Sequence, residues 1–84
     1  MEGFVYILQS QKSGRFYVGS TKNVANRLIE HNSGKTKSTK YHIPWKVVFS
    51  KKYKEIRLAE KIERKIKKSK SRKLIDRIIQ DRDI

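Results

Sequence analysis

Residues 4–19 read FVYILQSQKSGRFYVG, two short apolar runs separated by a polar segment. The first run, residues 4–8, contains no charge and is rich in aromatic and β-branched side chains, which predicts a buried central strand. The second run, residues 16–19, predicts another strand. Gly14 lies in a turn-forming stretch between them and can adopt positive φ, so we expect the two runs to form an antiparallel hairpin.

Each of these predicted strands carries a tyrosine, and the two tyrosines lie eleven positions apart. Because side chains alternate between faces, Tyr6 should share a face with Phe4 and Leu8, and Tyr17 should point away from its immediate neighbours. The sequence leaves the register open. A hairpin can nevertheless bring both hydroxyls to one end of a single face.

A helix is predicted directly after the hairpin, over residues 22–33, with Ser20 or Thr21 as its N-cap and a glycine at its end. The apolar stripe expected to face the core consists of Val24, Ala25, Leu28 and Ile29. Arg27 and His31 are i,i+4 neighbours at the border of that stripe. A border position should leave their polar ends free to reach a cleft.

Residues 34–43 show no periodicity and predict a basic loop. After it, Trp45, Val47 and Phe49 alternate with Lys46, Val48 and Ser50, which predicts a third strand. From about Glu55 the apolar period becomes 3.6.

Two further helices follow from that change of period. The first ends at about Lys68, and Ser69 or Ser71 is expected to cap the second. Their predicted core positions are Ile56, Ala59, Ile62 and Ile66 in the first helix, and Leu74, Ile75, Ile78 and Ile79 in the second. The order β-β-α-β-α-α predicts an α+β fold, and 84 residues predict a single domain over residues 1–84.

The chain is strongly basic, with 22 Lys and Arg against 8 Asp and Glu and a formal net charge of +14. Neutralising phosphates is the commonest use of such an excess, so nucleic acid is the expected partner. An anionic membrane surface and a surface kept soluble by its charge are the alternatives. The residues expected to contact nucleic acid are Lys22, Lys35, Lys37, Lys40 and Lys67.

Other features narrow the class of protein. No apolar run approaches the roughly 18 residues that a membrane span needs, and Glu2 with a strand-like run stands where a signal peptide would have its basic and apolar regions. The absence of cysteine excludes disulfides and thiolate metal sites, and a cytoplasmic location is expected. No phosphate-binding glycine loop, zinc-ligand spacing or Ser-His-Asp arrangement is present, and no small-molecule cofactor is expected.

Glu63 is the acidic residue best placed to be a metal ligand. On a helical wheel it lies beside Ala59 and Ile66 at the edge of the apolar face, whereas Glu60 faces water. An ordinary helical salt bridge from Glu63 to Lys67 is the alternative. No second clustered carboxylate supports a two-metal nuclease.

Taken together, these positions resemble the GIY-YIG endonuclease superfamily, in particular its short stand-alone bacterial members. Val5-Tyr6-Ile7 matches the family's first motif and Tyr17-Val18-Gly19 its second. Arg27 matches the family's helix arginine, His31 the His or Tyr four residues later, and Glu63 the metal-binding glutamate. Ile75 stands where many members carry an asparagine.

The resemblance implies a small antiparallel three-stranded sheet flanked by helices, and hydrolysis of phosphodiester bonds with one Mg²⁺ or Mn²⁺ ion. We expect DNA as the substrate and a role in DNA repair. Glu63 would hold the ion, Arg27 would bind a phosphate oxygen, and Tyr6 would act as general base with Tyr17 positioning water, the two roles being exchangeable. His31 would take the phenolic proton, and cationic surroundings should lower the tyrosine pKa.

Two other functions remain compatible with the sequence. The first is a basic DNA- or RNA-binding module that has this fold but no catalytic activity. The second is a basic interaction subunit that binds acidic proteins or ribosomal particles. A steep dependence of binding on salt without metal-dependent cleavage would identify the first of them.

Overall fold

The computed structural model describes residues 1–84 as three strands and three α-helices. The elements are β1 (Gly3–Ser10), β2 (Phe16–Thr21), α1 (Val24–Asn32), β3 (Trp45–Tyr53), α2 (Ile56–Ser69) and α3 (Arg72–Asp81). The strands form one antiparallel sheet in the order β2-β1-β3. The α+β prediction and the predicted element order are therefore confirmed.

The β1–β2 hairpin has the register that brings both tyrosines to one face. Tyr6 lies opposite Gly19, and Leu8 lies opposite Tyr17. Because paired residues share a face and residues two apart do so as well, the side chains of Tyr6 and Tyr17 project on the same side of the sheet. Their ring centroids are 6.4 Å apart.

Strand β3 departs from the simple alternation that the sequence predicts. Ile7 pairs with Phe49 but Leu8 pairs with Val47, so Val48 is an extra residue in a β-bulge. The bulge places Phe49 on one face of the sheet and Trp45 on the other. The predicted third strand is present, but the bulge divides Trp45 and Phe49 between the two faces, and Val47 is exposed.

Helix α1 starts later than predicted, because β2 continues through Thr21, which pairs with Phe4. The N-cap is Asn23, whose side chain accepts a hydrogen bond from the Asn26 backbone N–H. Neither Ser20 nor Thr21 caps the helix. A cap of this kind contributes about 1 kcal/mol.

The inward face of α1 also differs from the predicted stripe. Val24 and Leu28 pack against the sheet, but Ala25 is exposed and 67% of Ile29 is exposed. The residue of α1 that is fully buried is His31, at 0% exposure. His31 therefore lies in the middle of the buried face rather than at its border.

Residues 33–44 connect α1 to β3, and residues Lys40–His42 within them form one turn of 3₁₀-helix. We keep the name basic loop for residues 34–43. Asn32 fixes the connection, because its side chain donates to the Trp45 carbonyl and accepts from the Trp45 N–H. Thr39, inside the basic loop, is fully buried, and its carbonyl accepts a hydrogen bond from the Trp45 indole.

Helices α2 and α3 cover the opposite face of the sheet from α1. The seven residues buried in that layer are Val5, Ile7, Val18, Phe49, Ala59, Ile66 and Ile78. Ser71 caps α3 through a bond from the Leu74 N–H, as one of the two predicted alternatives. None of the helices combines the length and apolarity that crossing a bilayer requires.

Candidate active site

Strand β1 and the glycine of β2 together fix the position of the Tyr6 phenol. Tyr6 is 1% exposed and its ring lies across Gly19, its partner on β2. A Cβ atom built on Gly19 would come within 2.4 Å of the Tyr6 hydroxyl oxygen and 2.5 Å of the ring carbon that bears it. Only glycine leaves room for this arrangement, which explains the glycine of the Tyr17-Val18-Gly19 segment.

A buried chain of hydrogen bonds joins Tyr6 to the basic loop. The Tyr6 hydroxyl lies 3.0 Å from His31 Nε2, and His31 Nδ1 lies 3.0 Å from the Thr39 hydroxyl oxygen. The Thr39 hydroxyl donates its hydrogen to the Thr36 carbonyl, so it accepts from Nδ1–H. His31 Nε2 is then unprotonated and accepts the hydrogen of Tyr6.

Burial governs the protonation of this pair. Burial raises the pKa of Tyr6 to about 12, because its effect is larger than the opposing effect of the nearby Arg27 guanidinium, which lowers the pKa. Burial and then the positive charge of Arg27 lower the pKa of His31, so the imidazole is neutral at pH 7. The expectation that cationic surroundings lower the phenol pKa is therefore wrong for Tyr6.

Tyr17 has different surroundings from Tyr6, although the two rings share a face. It is partly exposed, its hydroxyl has no hydrogen-bond partner within the protein, and its ring centroid lies 4.7 Å from that of His31. The Lys67 ammonium lies 5.1 Å from the centroid of the Tyr17 ring. Of the two phenols, Tyr17 is the one whose hydroxyl is free to bind water or a substrate.

Arg27 projects from α1 at the solvent side of Tyr6. Its guanidinium is hydrogen-bonded to Glu30, one turn along the same helix, and about one third of its side chain is exposed. The Glu30 carboxylate, and to a smaller extent Tyr6, raise the pKa of Arg27 further above its ordinary value. A guanidinium has five donors, so the donors that Glu30 leaves free can reach an anion.

Glu63 reaches the same region from α2, on the other side of β2. Its Oε1 accepts a hydrogen bond of 2.5 Å from the Ser20 hydroxyl, and its Oε2 lies 2.9 Å from Lys67 Nζ. The carboxylate is 16% exposed, whereas Glu60 points to solvent as predicted. The salt bridge with Lys67, which the sequence offers as the alternative to a metal ligand, is present. The same lysine lies against the Tyr17 ring, so it connects Glu63 to Tyr17.

The donor chemistry around Glu63 fits a magnesium-type ion. No group of three or more His, Cys, Asp or Glu residues is arranged to hold a metal. Mg²⁺ commonly keeps several waters and binds one or two carboxylates together with substrate phosphates, so a single half-buried carboxylate at an open surface is sufficient. Glu63 is the residue that could hold such an ion.

The four exposed lysines predicted to bind nucleic acid lie outside this cluster. Lys22, Lys35, Lys37 and Lys40 form no ion pair, and no hydrogen bond joins them to the tyrosines, His31 or Glu63. The last three belong to the basic loop, which Thr39 connects to His31. Lys67, the fifth predicted lysine, is inside the cluster.

Solvent reaches Tyr17, Arg27 and Glu63 of the cluster, and none of the three lines an enclosed cavity. The two concavities of the molecule, of about 280 and 390 Å³, lie elsewhere, and residues of β3, α2, α3 and the C-terminal segment line them. An open site suits a long polymeric substrate better than a small molecule.

Three residues of the site were missed by the sequence reasoning. Thr39 lies in an aperiodic loop that gives no signal, and the hydroxyl of Ser20 was interpreted as a helix cap. Gly19 was quoted as part of a motif, but its steric role depends on the register opposite Tyr6, which the sequence left open.

Comparisons with known proteins find similarity over most of the chain. The model of the GIY-YIG catalytic domain matches residues 2–76. The solution NMR structure of the UPF0213 protein BH0048 from Bacillus halodurans is similar to this chain with a TM-score of 0.60 and 30% sequence identity, over 95% of this chain and 84% of that one. No curated protein sequence matches the chain.

Proposed function

The chain belongs to the GIY-YIG family, which implies nuclease-type activity on nucleic acid, and we propose that it is a divalent-metal-dependent endonuclease that hydrolyses phosphodiester bonds of DNA. The observation that carries the proposal is the convergence of Tyr6, Tyr17, His31, Arg27 and Glu63 around one edge strand. We also propose that residues 1–84 act as one nuclease domain in the cytoplasm.

Arg27 binds the scissile phosphate in this proposal. Its fork of donors matches two phosphate oxygens, and its position beside Tyr6 places the phosphate at the open side of the cluster. The Glu30 carboxylate holds the guanidinium in place before substrate arrives. Lys67 adds a second positive charge beside Tyr17.

The two tyrosines divide the handling of the attacking water. Tyr17, with a free hydroxyl, orients the water. Tyr6 accepts a proton from the water as it donates its own proton to His31 Nε2, so the phenol never has to exist as a free phenolate. The pKa of about 12 at Tyr6 and the neutral state of His31 support this route, because a lone phenolate would be scarce at neutral pH.

Glu63 holds the metal ion in this proposal, with Ser20 fixing one carboxylate oxygen. A bound Mg²⁺ or Mn²⁺ ion would supply positive charge that stabilises the leaving oxygen of the phosphodiester. Lys67 forms an ion pair with the other carboxylate oxygen of Glu63. Lys22, Lys35, Lys37 and Lys40 bind the substrate backbone.

Single-turnover cleavage of branched, nicked and linear substrates in Mg²⁺, Mn²⁺ or EDTA tests the proposal. The wild type should cut in either metal and stop in EDTA. Glu63→Ala should lose about 10²-fold or more in rate, whereas the matched variant Glu60→Ala should keep the wild-type rate. A wild-type rate from Glu63→Ala would overturn the assignment of this site.

Two comparisons within the same experiment address the remaining parts of the proposal. RNA versions of each substrate test the choice of DNA, and with it the expected role in DNA repair. Tight binding with no cleavage of any substrate would instead identify a nucleic-acid-binding module without catalytic activity.

A further inference from the structure

The turn between α2 and α3 concentrates positive charge. Residues 64–73 contain seven Lys and Arg and no acid. Lys65 lines a concavity together with Asp81 and Asp83, so it belongs to another surface. We call the remaining six residues the basic corner: Arg64, Lys67, Lys68, Lys70, Arg72 and Lys73. Within it only Lys67 forms an ion pair, with Glu63.

The basic corner is unfavourable for folding in two respects. The first turn of α3 carries Arg72 and Lys73 and no acid, although the N-terminus of a helix favours negative charge. Lys70 adopts φ +49°, the left-handed region in which glycine is the usual residue. Lys67 and Lys68 in the last turn of α2 complement the dipole of that helix, but Arg72 and Lys73 do not stabilise α3, which indicates that their positive charge serves a ligand.

Contacts with strand β2 hold the basic corner against the candidate active site. The Arg72 guanidinium lies 4.8 Å from the centroid of the Phe16 ring, and the Lys67 ammonium lies 5.1 Å from that of the next residue, Tyr17. On the other side of Tyr17, His31 leads through Thr39 to the basic loop. Tyr17 is therefore connected to the basic corner through Lys67 and to the basic loop through His31 and Thr39.

We propose that the basic corner binds the sugar-phosphate backbone on one side of the scissile bond, with the basic loop on the other side. The partner is a nucleic acid recognised through its phosphates, so the inference rests on the proposed nucleic-acid substrate. The molecule extends 30 × 28 × 20 Å. A duplex of about eight base pairs, at 3.4 Å each, spans the longer dimensions of the molecule. One such duplex can therefore contact both the basic corner and the basic loop.

The salt dependence of binding tests this inference without requiring cleavage. The corner variant is Lys68→Gln/Lys70→Gln/Lys73→Gln. The control is Lys46→Gln/Lys54→Gln/Arg57→Gln, which removes equal charge from exposed residues of β3, the start of α2 and the segment between them. Affinity for a labelled linear DNA duplex is measured in EDTA over a range of salt. The corner variant should reduce the slope of log K against log salt by about 2 to 3, and the control by less than about 1.

Lys73→Glu separates lost binding from lost folding. Reversing this charge in the first turn of α3 should raise the melting temperature by roughly 2–10 °C while weakening duplex binding. A variant that unfolds more easily, or one that binds as tightly as wild type, contradicts the inference.

The outcomes also separate this inference from the proposed nuclease. Equal slopes for the corner and control variants would overturn the inference even if the wild type cuts DNA. A reduced slope for the corner variant alone supports it even if no cleavage is found, and absence of duplex binding by the wild type would overturn it.

Discussion

The two faces of the sheet are built from different chemistry. The face under α2 and α3 is closed by apolar side chains, whereas the face under α1 buries the apolar Leu8 and Trp45 together with a hydrogen-bonded chain of Tyr6, His31 and Thr39. No buried side-chain nitrogen or oxygen lacks a partner. Burial of apolar area is the main favourable term in folding, whereas a satisfied polar network adds little net stability but fixes the positions of its members. The α2–α3 face therefore contributes apolar packing alone, whereas the α1 face contributes packing and also holds reactive groups in place.

Strand β2 is the boundary at which these two faces meet. Tyr17 projects on the α1 side, and Ser20 projects on the α2 side, where it binds Glu63. Because β2 is an edge strand, Lys67 can reach around it from α2 to the Tyr17 ring. An edge strand thus lets a carboxylate from one layer join phenols from the other.

The largest expected effect comes from damaging the apolar face alone. Ile66→Ala should lower the free energy of unfolding by about 2–5 kcal/mol, because it removes a side chain that is 3% exposed. Cleavage per folded molecule should stay at the wild-type level.

Thr39→Val is the matched variant on the α1 face. Its expected cost is about 1–3 kcal/mol, and cleavage should clearly fall, since His31 loses the partner that fixes its tautomer. If Ile66→Ala and Thr39→Val lowered cleavage per folded molecule equally, the two faces would not differ in function, and the account would be contradicted.

A second test uses the alkaline titration of Tyr6. Its folded pKa of about 12 lies above the ordinary value of 10.0, so the folded state keeps a proton that the unfolded state releases between those pH values. This contribution is complete below pH 10 and is lost as pH rises through 12, to a total of about 3 kcal/mol. The difference in the free energy of unfolding between wild type and Tyr6→Phe should therefore become smaller as the pH rises from 10 to 12.

Tyrosinate absorbance gives a direct reading of the same effect. The chain has four tyrosines, and one should titrate about two pH units later than an ordinary phenol. That late step should vanish in Tyr6→Phe. Ordinary titration of all four tyrosines in the folded protein would show that burial does not govern Tyr6.

An effect on stability smaller than that of Ile66→Ala is expected at Gly19. A methyl group there must displace the Tyr6 phenol, at a cost of about 1–3 kcal/mol and about 10²-fold in cleavage. Gly14→Ala is the control, because a Cβ there meets no atom within 4 Å, although φ of +77° makes it strained. Gly14→Ala should lose stability but keep cleavage, and an identical pattern in both variants would argue against a steric role for Gly19.

Most of the element order was predictable because local patterns determine it. The 3.6-residue period identified α2 and α3, and the same wheel distinguished Glu63 from Glu60. The Ser71 cap of α3 was also one of two predicted alternatives. These features depend on neighbours within a few residues, which the sequence displays directly.

The features that were missed depend on contacts between distant segments. The bulge at Val48 reverses the side-chain alternation of β3, and nothing in its local sequence marks it. Asn23 was overlooked as the N-cap because pairing with β1 keeps Thr21 in the strand. His31 was placed at a helix border because its burial depends on Tyr6 and Thr39, partners 25 and 8 residues away.

Paramagnetic broadening by Mn²⁺ tests most directly whether the carboxylate and the phenols share one site. In NMR spectra of the wild-type protein, low concentrations of Mn²⁺ should first broaden signals of Ser20, Tyr17 and Lys67, the neighbours of Glu63. Glu63→Ala should abolish this selective broadening, and Glu60→Ala should preserve it. Broadening centred on the acidic residues of the C-terminal segment, or unchanged broadening in Glu63→Ala, would contradict a metal site beside the tyrosines.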